Sequence, residues 1–272
     1  MKNKNILIIS DMVGLGNLSI TAMLPIFSYM GYSTYNLPTS LVSNNFGYGK
    51  YKMLDTTDYL KGAINAWDKL GFSFSAIATG FIPSEAQAQV IARFCKKQAK
   101  NGARIFVDPV MADGGELYHG LPKNIVKHMR DMLKVADLCY PNYTEACLLT
   151  DEPFREGGLS HDEAIEMTDK LRKLGPKSVL ITSIIIDGRP SVIGYNHLNG
   201  EYFIVNYEEI PITFSGTGDV FSATLIGHIM KGDSLKKSTK LAMNGVYNLI
   251  TLNKDAADPY MGLPLEKYLN IL

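Results

Sequence analysis

The chain has 272 residues, and its 27 basic side chains balance its 27 acidic ones, so the formal net charge is zero. With 46% hydrophobic and 20% charged residues it is globular rather than disordered, and its length allows one or two domains. A neutral balance excludes a global positive field of the kind that draws duplex nucleic acid or an anionic membrane, but leaves room for a local anion site.

Short β-rich apolar runs alternate with amphipathic stretches. Ile6–Ser10 reads as a buried strand, followed by a glycine turn and a helical pattern from Asn17 to Met30 that Gly31 stops. Thr34–Val42 is extended. Asp55 or Thr56 can cap a helix to Leu70, with Gly71 just past its end. Phe74–Thr79 is a strand. Ser84 and Gln87 have capping-box spacing and open a helix ending near Gly102. Arg104–Val110 is a strand that breaks at Asp108-Pro109, Lys123–Val135 is helical, and Asp137–Tyr140 is a strand ending at Pro141-Asn142. Ser160 and Glu163 form a second capping box, for a helix ending at Gly175-Pro176. Ser178–Ile186 is a β-branched run. Ser191–His197 and Tyr202–Tyr207 flank Leu198-Asn199-Gly200, a hairpin signal. Helical stretches at Asp219–Met230 and Leu235–Leu252 follow. The alternation predicts an α/β fold with a mostly parallel central sheet, helices on both faces and a C-terminal antiparallel hairpin. No linker, repeat or charge block divides the chain, so residues 1–272 are expected to form one domain.

Met1–Asn5 is short and polar, and the apolar run after it is shorter than the ~7–15 residues of a secretory signal. No run reaches the ~20 residues that span a bilayer. Cys95, Cys139 and Cys147 show no CxxC spacing, and the five histidines show no zinc-ligand spacing. Free thiols in a reducing, cytoplasmic compartment are expected.

The strongest local signal is Thr213-Phe214-Ser215-Gly216-Thr217-Gly218-Asp219. Two glycines at the start of a helix expose amides that can face an anion, and Asp219 stands where a carboxylate could take a proton from an attacking hydroxyl. The plain alternative is a capping aspartate above a glycine turn. Gly14-Leu15-Gly16 after the first strand invites a dinucleotide reading, but the third glycine is replaced by Ser19 and no acidic residue ends the second strand. No P-loop sequence is present. Asp108, Asn142, Glu145, Thr182 and Ser183 fall at successive strand ends, where ligands of a parallel sheet gather, although each could equally be a cap or a loop residue.

Gly216-Thr217-Gly218-Asp219, Asn142-x-x-Glu145 and Asp108-Pro109-Val110-Met111 together resemble the ribokinase superfamily. Ser10, Gly16-Asn17, Ser43-Asn44-Asn45-Phe46-Gly47-Tyr48-Gly49 and Gly80-Phe81 resemble its pyridoxal kinases, over nearly the whole chain. The resemblance implies a ribokinase-like fold and ATP-dependent phosphorylation of the 5′-hydroxymethyl group of pyridoxal, pyridoxine or pyridoxamine. It makes Asp219 the general base and the amides of Gly216, Thr217 and Gly218 the anion hole. Glu145, with Asp108, would organise Mg2+ and a monovalent cation (K+ or Na+), most magnesium ligands being phosphate oxygens and water. Asp113, Asn142, Thr182 and Ser183 would line the ATP phosphates, with Thr213 and Phe214 beside the nucleotide. Ser10 would meet the pyridine ring's polar edge, Phe81 would stack on it, and Asn45 and Phe46 would complete the substrate side. A homodimer is implied by resemblance only, with no nucleic acid or membrane partner.

The chain departs from many relatives. The loop after Ser10 is two residues shorter, Phe46 and Asn45 replace threonine and histidine, Phe81 replaces tyrosine, and Ala112–Tyr118 lacks a reactive cysteine. These changes bear on the preferred vitamer. A hydroxymethylpyrimidine kinase of the same superfamily and a non-catalytic vitamer-binding protein are the competing readings. Tyr48, Tyr51 and Tyr59 could line a subunit contact or close over the substrate.

Overall fold

A computed structural model describes residues 4–119 and 121–272. It opens on β1 (Asn5–Val13), in which Ile6, Leu7, Ile8 and Ile9 have no exposed surface. Successive side chains of a strand face opposite ways, so an unbroken apolar run buries both faces and demands cover on both. α1 (Ile20–Tyr29) begins later than Asn17 because Ser19, at φ 51°, lies outside the helical region. β2 (Ser33–Val42) and β3 (Met53–Asp55) follow, then α2 (Thr57–Leu70). The Asp55 carboxylate accepts from Thr57 N at 2.6 Å, while the Thr56 hydroxyl donates to Pro38 O at 2.6 Å, so Asp55 caps the first turn and Thr56 ties it to β2. β4 (Ala76–Thr79) leads to α3 (Glu85–Lys100), capped by Ser84.

β5 (Arg104–Val107) stops before Asp108, short of the expected Val110, because Pro109 offers no N–H to continue a ladder. β6 (Ala112–Asp113) and β7 (Glu116–Leu117) form a two-stranded ribbon absent from the sequence reading. α4 (Ile125–Leu133), β8 (Leu138–Cys139), α5 (Tyr143–Thr150) and α6 (His161–Lys173) follow. α5 and α6 each open on a complete capping box, Asn142 with Glu145 and Ser160 with Glu163. β9 (Ser178–Ile186), β10 (Arg189–Asn196) and β11 (Glu201–Asn206) are consecutive antiparallel neighbours. Their tight turn is Asp187-Gly188, at φ 48° and 76°, the two left-handed residues such a turn requires. The Asn-Gly signal instead closes a longer loop over 197–200. α7 (Thr217–Lys231) and α8 (Leu235–Leu252) pack on each other.

The chain divides into two compact units, one of Met1–Gly80 with Ile210–Leu272, the other of Phe81–Glu209. In the first, β1 lies between β4 and β2, parallel to both, and β3 adds antiparallel to β2. α1 packs on β1, β2 and α7. In the second, β8 lies between β5 and β9, parallel to both, and β10 and β11 extend the sheet antiparallel. Apart from the β6–β7 ribbon, four of these strand pairs are parallel and three antiparallel, so the α/β class, the mostly parallel sheet and the antiparallel hairpin are as expected. Each fully buried Ile or Leu of β1 and α7 contributes roughly 1.5–3 kcal/mol of hydrophobic stabilisation. Among the described residues no helix is long and apolar enough to cross a membrane.

Candidate active site

The first unit holds the glycine loop. Gly216 is the N-cap of α7 at φ 79°, and a Cβ there would lie 2.7 Å from the Asn17 carbonyl oxygen, so only glycine fits. The first amides of a helix have no partner within it, so those of Gly216, Thr217 and Gly218 open toward whatever lies beyond. The Thr217 hydroxyl donates to Phe214 O at 3.4 Å, which braces the loop. Asp219 follows in the first turn, half-buried, and its Oδ2 accepts from the Ser19 backbone N–H at 2.7 Å. Burial pushes its pKa up to about 7, the Ser19 bond opposes this, and the Asp11 carboxylate reinforces it. A carboxylate so tuned is a proton acceptor at neutral pH rather than a mere cap.

The expected substrate residues of this unit have definite partners. Ser10, 2% exposed within β1, donates from Oγ to Asp11 Oδ1 at 3.2 Å. The pairing of β1 with β2 shifts register between Ser10 and Met12, so a bulge sits at Asp11. Asn45 accepts from Gly47 N at 2.8 Å and donates to Tyr260 O at 2.9 Å, so its amide clasps two loops. The Phe46 ring is exposed and packs edge-on against Tyr51 at 4.5 Å. Thr213 is exposed, whereas the Phe214 ring is buried in the core.

A short turn, Asp258–Gly262, reaches three loops of the same unit. Pro259 O accepts from Ser215 N at 3.1 Å, Met261 O accepts from Asn17 N at 2.8 Å, and the Asp258 carboxylate accepts from the Tyr48 hydroxyl. The Tyr48 and Tyr260 rings lie 5.3 Å apart. Sequence reading missed this turn, as it missed Asp11 and Ser19. A charged residue directly after a buried strand was the available signal for Asp11, since buried carboxylates are rare without a reason.

The second unit holds the remaining expected residues. Glu145, 3% exposed, accepts from Met111 N at 2.9 Å and Ala112 N at 3.4 Å through Oε1, and from Asn142 N at 2.9 Å through Oε2. Burial raises its pKa above the usual carboxylate range, the three amides oppose this, and Asp113 adds a smaller upward push. Asn142 accepts from Glu145 N at 2.9 Å and donates to Ala112 O at 2.7 Å. The box therefore also anchors the segment that runs from half-buried Asp108 to exposed Asp113. Thr182 bridges to Asn142 in parallel fashion, and Ser183, at φ 54°, forms a bulge against β10. Phe81, which begins this unit, is 6% exposed. Among the described residues no group of three or more His, Cys, Asp or Glu could cage a metal alone.

The sequence profile of one family, phosphomethylpyrimidine kinase, matches residues 20–261. The chain belongs to that family. Its relatives include the pyridoxal kinase of Arabidopsis thaliana, 31% identical over 239 residues, which span 83% of this chain and 74% of that protein. A Bacteroides thetaiotaomicron protein assigned as a phosphomethylpyrimidine kinase, crystallised with pyridoxal, matches at TM-score 0.94 and 34% identity. That match covers 99% of this chain and 96% of the other. The pyridoxal kinase of Lactobacillus plantarum matches at TM-score 0.86 and 25% identity, over 98% and 95% of the two chains. The resemblance to pyridoxal kinases and to the ribokinase-like fold is thus borne out along the chain.

Proposed function

We propose that this kinase transfers the γ-phosphoryl group of ATP to the 5′-hydroxymethyl group of pyridoxal, pyridoxine or pyridoxamine. The observation that carries the reading is Asp219 at the N-terminus of α7, directly after the Gly216–Gly218 loop and tuned to about 7 by burial. Asp219 accepts the hydroxyl proton as the oxygen attacks phosphorus. The amides of Gly216, Thr217 and Gly218 stabilise the charge that spreads over the transferring group. Ser10, Asn45, Phe46 and Phe81 hold the vitamer. Asp113, Asn142, Thr182, Ser183, Thr213 and Phe214 hold the nucleotide, Phe214 through its backbone because its ring is buried.

A magnesium ion suits this donor set. Mg2+ is usually held by one or two carboxylates with phosphate oxygens and water, and among the described residues the buried Glu145 carboxylate has no cationic partner to offset its desolvation. Glu145 and Asp108 would hold it, and K+ or Na+ beside it. When bound, it neutralises phosphate charge. Residues 1–272 act as one kinase domain in this reading, in the cytoplasm, where the free and buried Cys95, Cys139 and Cys147 stay reduced. The enzyme works as a homodimer, a proposal supported by exposed Tyr35, Leu41, Met53 and Leu54 on β2 and β3.

The test is turnover of pyridoxal with ATP and Mg2+, beside Asp219→Asn and Asp219→Ala. Activity in wild type and loss in both variants is expected; wild-type protein that binds pyridoxal without phosphorylating it overturns the kinase reading in favour of a binding protein. The family description itself favours a second reading, phosphorylation of hydroxymethylpyrimidine by the same base. Side-by-side turnover of the two substrates separates them, and phosphorylation of the pyrimidine alone overturns the first.

A further inference from the structure

The Asp258–Gly262 turn faces two loops at once. Asp258 divides its carboxylate: Oδ1 accepts from Tyr260 N at 3.0 Å within the turn, and Oδ2 accepts from the Tyr48 hydroxyl. The Tyr260 carbonyl accepts from Asn45 Nδ2 at 2.9 Å, while Oδ1 of the same Asn45 accepts from Gly47 N at 2.8 Å. The Tyr260 ring lies so close over Gly47 that a Cβ there would meet Cε1 at 2.6 Å. Asn45, Gly47 and Tyr48 are thus all gripped by Asp258 and Tyr260. None of Phe46–Tyr48 is buried, so core packing does little to hold this loop, and these contacts set its place.

The other side of the turn meets the glycine loop. Pro259 O accepts from Ser215 N at 3.1 Å, and Met261 O accepts from Asn17 N at 2.8 Å. The Asn17 carbonyl oxygen is crowded by two glycines: a Cβ on Gly262 would lie 2.4 Å from it, and one on Gly216 2.7 Å. The turn, Asn17 and the cap of α7 therefore stack backbone on backbone, which leaves no room for side chains between them.

We propose that Asp258 and Tyr260 are positioning residues: they fix the loop of Asn45 and Phe46 relative to the Gly216–Gly218 amides, and so seat the vitamer's hydroxymethyl group against the anion hole. Neither acts on the reacting atoms. The inference rests on the assignment of the Asn45–Phe46 loop to the vitamer and of the glycine loop to phosphoryl transfer, and it makes their spacing the property of a third segment.

The experiment compares wild type with Tyr48→Phe, Asp258→Ala, Asp258→Asn and Gly47→Ala. Tyr32→Phe is the stability control, since it removes a buried hydroxyl bond, to Gly227 O at 2.7 Å, that touches neither loop. With pyridoxal and ATP, KM for pyridoxal is expected to rise about 3- to 10-fold in Tyr48→Phe and Asp258→Ala, with KM for ATP within about twofold of wild type. Gly47→Ala, which wedges the Tyr260 ring away without deleting a hydrogen bond, should do the same. Asp258→Asn keeps an acceptor oxygen and should recover most of the loss. Tyr48→Phe combined with Asp258→Ala should raise KM no further than Asp258→Ala alone. Hydrogen exchange over 43–52, read without substrate, should quicken in these variants and not in Tyr32→Phe. Unchanged exchange overturns the proposal, and so does quickened exchange with a wild-type KM for pyridoxal. Equal rises in both KM values, full additivity in the double variant, or the same KM change in Tyr32→Phe overturn it as well. Wild-type protein that phosphorylates only hydroxymethylpyrimidine refutes the vitamer reading instead, and the same KM comparison with that substrate then decides the positioning role.

Discussion

Asp219 combines a chemical role with a thermodynamic cost. Asp219→Asn is expected to lower kcat by roughly 10²- to 10⁴-fold while ATP affinity, read by calorimetry, is kept. Because the pKa of the folded carboxylate is raised from 3.8 to about 7, wild-type kcat should fall as pH drops below about 7. The same shift fixes the sign of a stability effect. The folded state holds this proton more tightly than the unfolded one, so the contribution of Asp219 to stability declines as pH rises from 3.8 to about 7. Asp219→Asn should therefore melt above wild type at pH 8, with the gap closing toward pH 4. Gly216→Ala should do the opposite, since its new Cβ would meet the Asn17 carbonyl oxygen at 2.7 Å. We expect a lowered melting temperature and loss of most turnover. Asp219 and its glycines were legible because they are adjacent in sequence. Asp11 and Ser19 were not, because the Ser19–Asp219 bond spans 200 residues and depends on a backbone angle that residue type disfavours.

Elements whose signals are local were read well. The capping boxes of Ser160 with Glu163 and the helix end at Gly71 stand where expected. α5 escaped notice because six of its eight residues are buried, which leaves no apolar stripe for a period to reveal. β3 escaped because its three residues are exposed and gain strand form only by pairing with β2. The α5 cap also carries the proposed metal carboxylate. Asn142→Ala should cost about 1 kcal/mol in urea unfolding from the lost cap. It should further raise the Mg2+ concentration needed for half-maximal turnover, because Glu145 loses the partner that fixes its helix start. At the Asp258–Gly262 turn, Asp258→Ala removes the acceptor of the Tyr48 hydroxyl and should raise KM for pyridoxal more than KM for ATP. Equal changes in both would remove the turn from the substrate side.

Across the whole molecule, zero net charge carries a narrower meaning than a refusal of anions. Phosphates can be met by a helix N-terminus and backbone amides without any positive surface. The three thiols are another whole-molecule property. All are buried, and burial pushes Cys95 up to about 12 and Cys139 and Cys147 upward as well. A thiol reagent should find almost no reactive cysteine in the native protein and all three after denaturation; rapid native labelling would contradict the packing.

The order of the chain sets a schedule for its own synthesis. The unit of Phe81–Glu209 is continuous, so it can fold as soon as it has been made. The unit of Met1–Gly80 must wait for Ile210 onward, because Ser19 has no Asp219 to meet and Asn17 has no Met261 carbonyl until those residues exist. During that wait α1, which covers β1, lacks the α7 helix it packs against. The interval is the window in which a chaperone could bind the nascent chain. A truncated chain ending at residue 209 and released from the ribosome should therefore resist protease across 81–209 while remaining cleavable before residue 80.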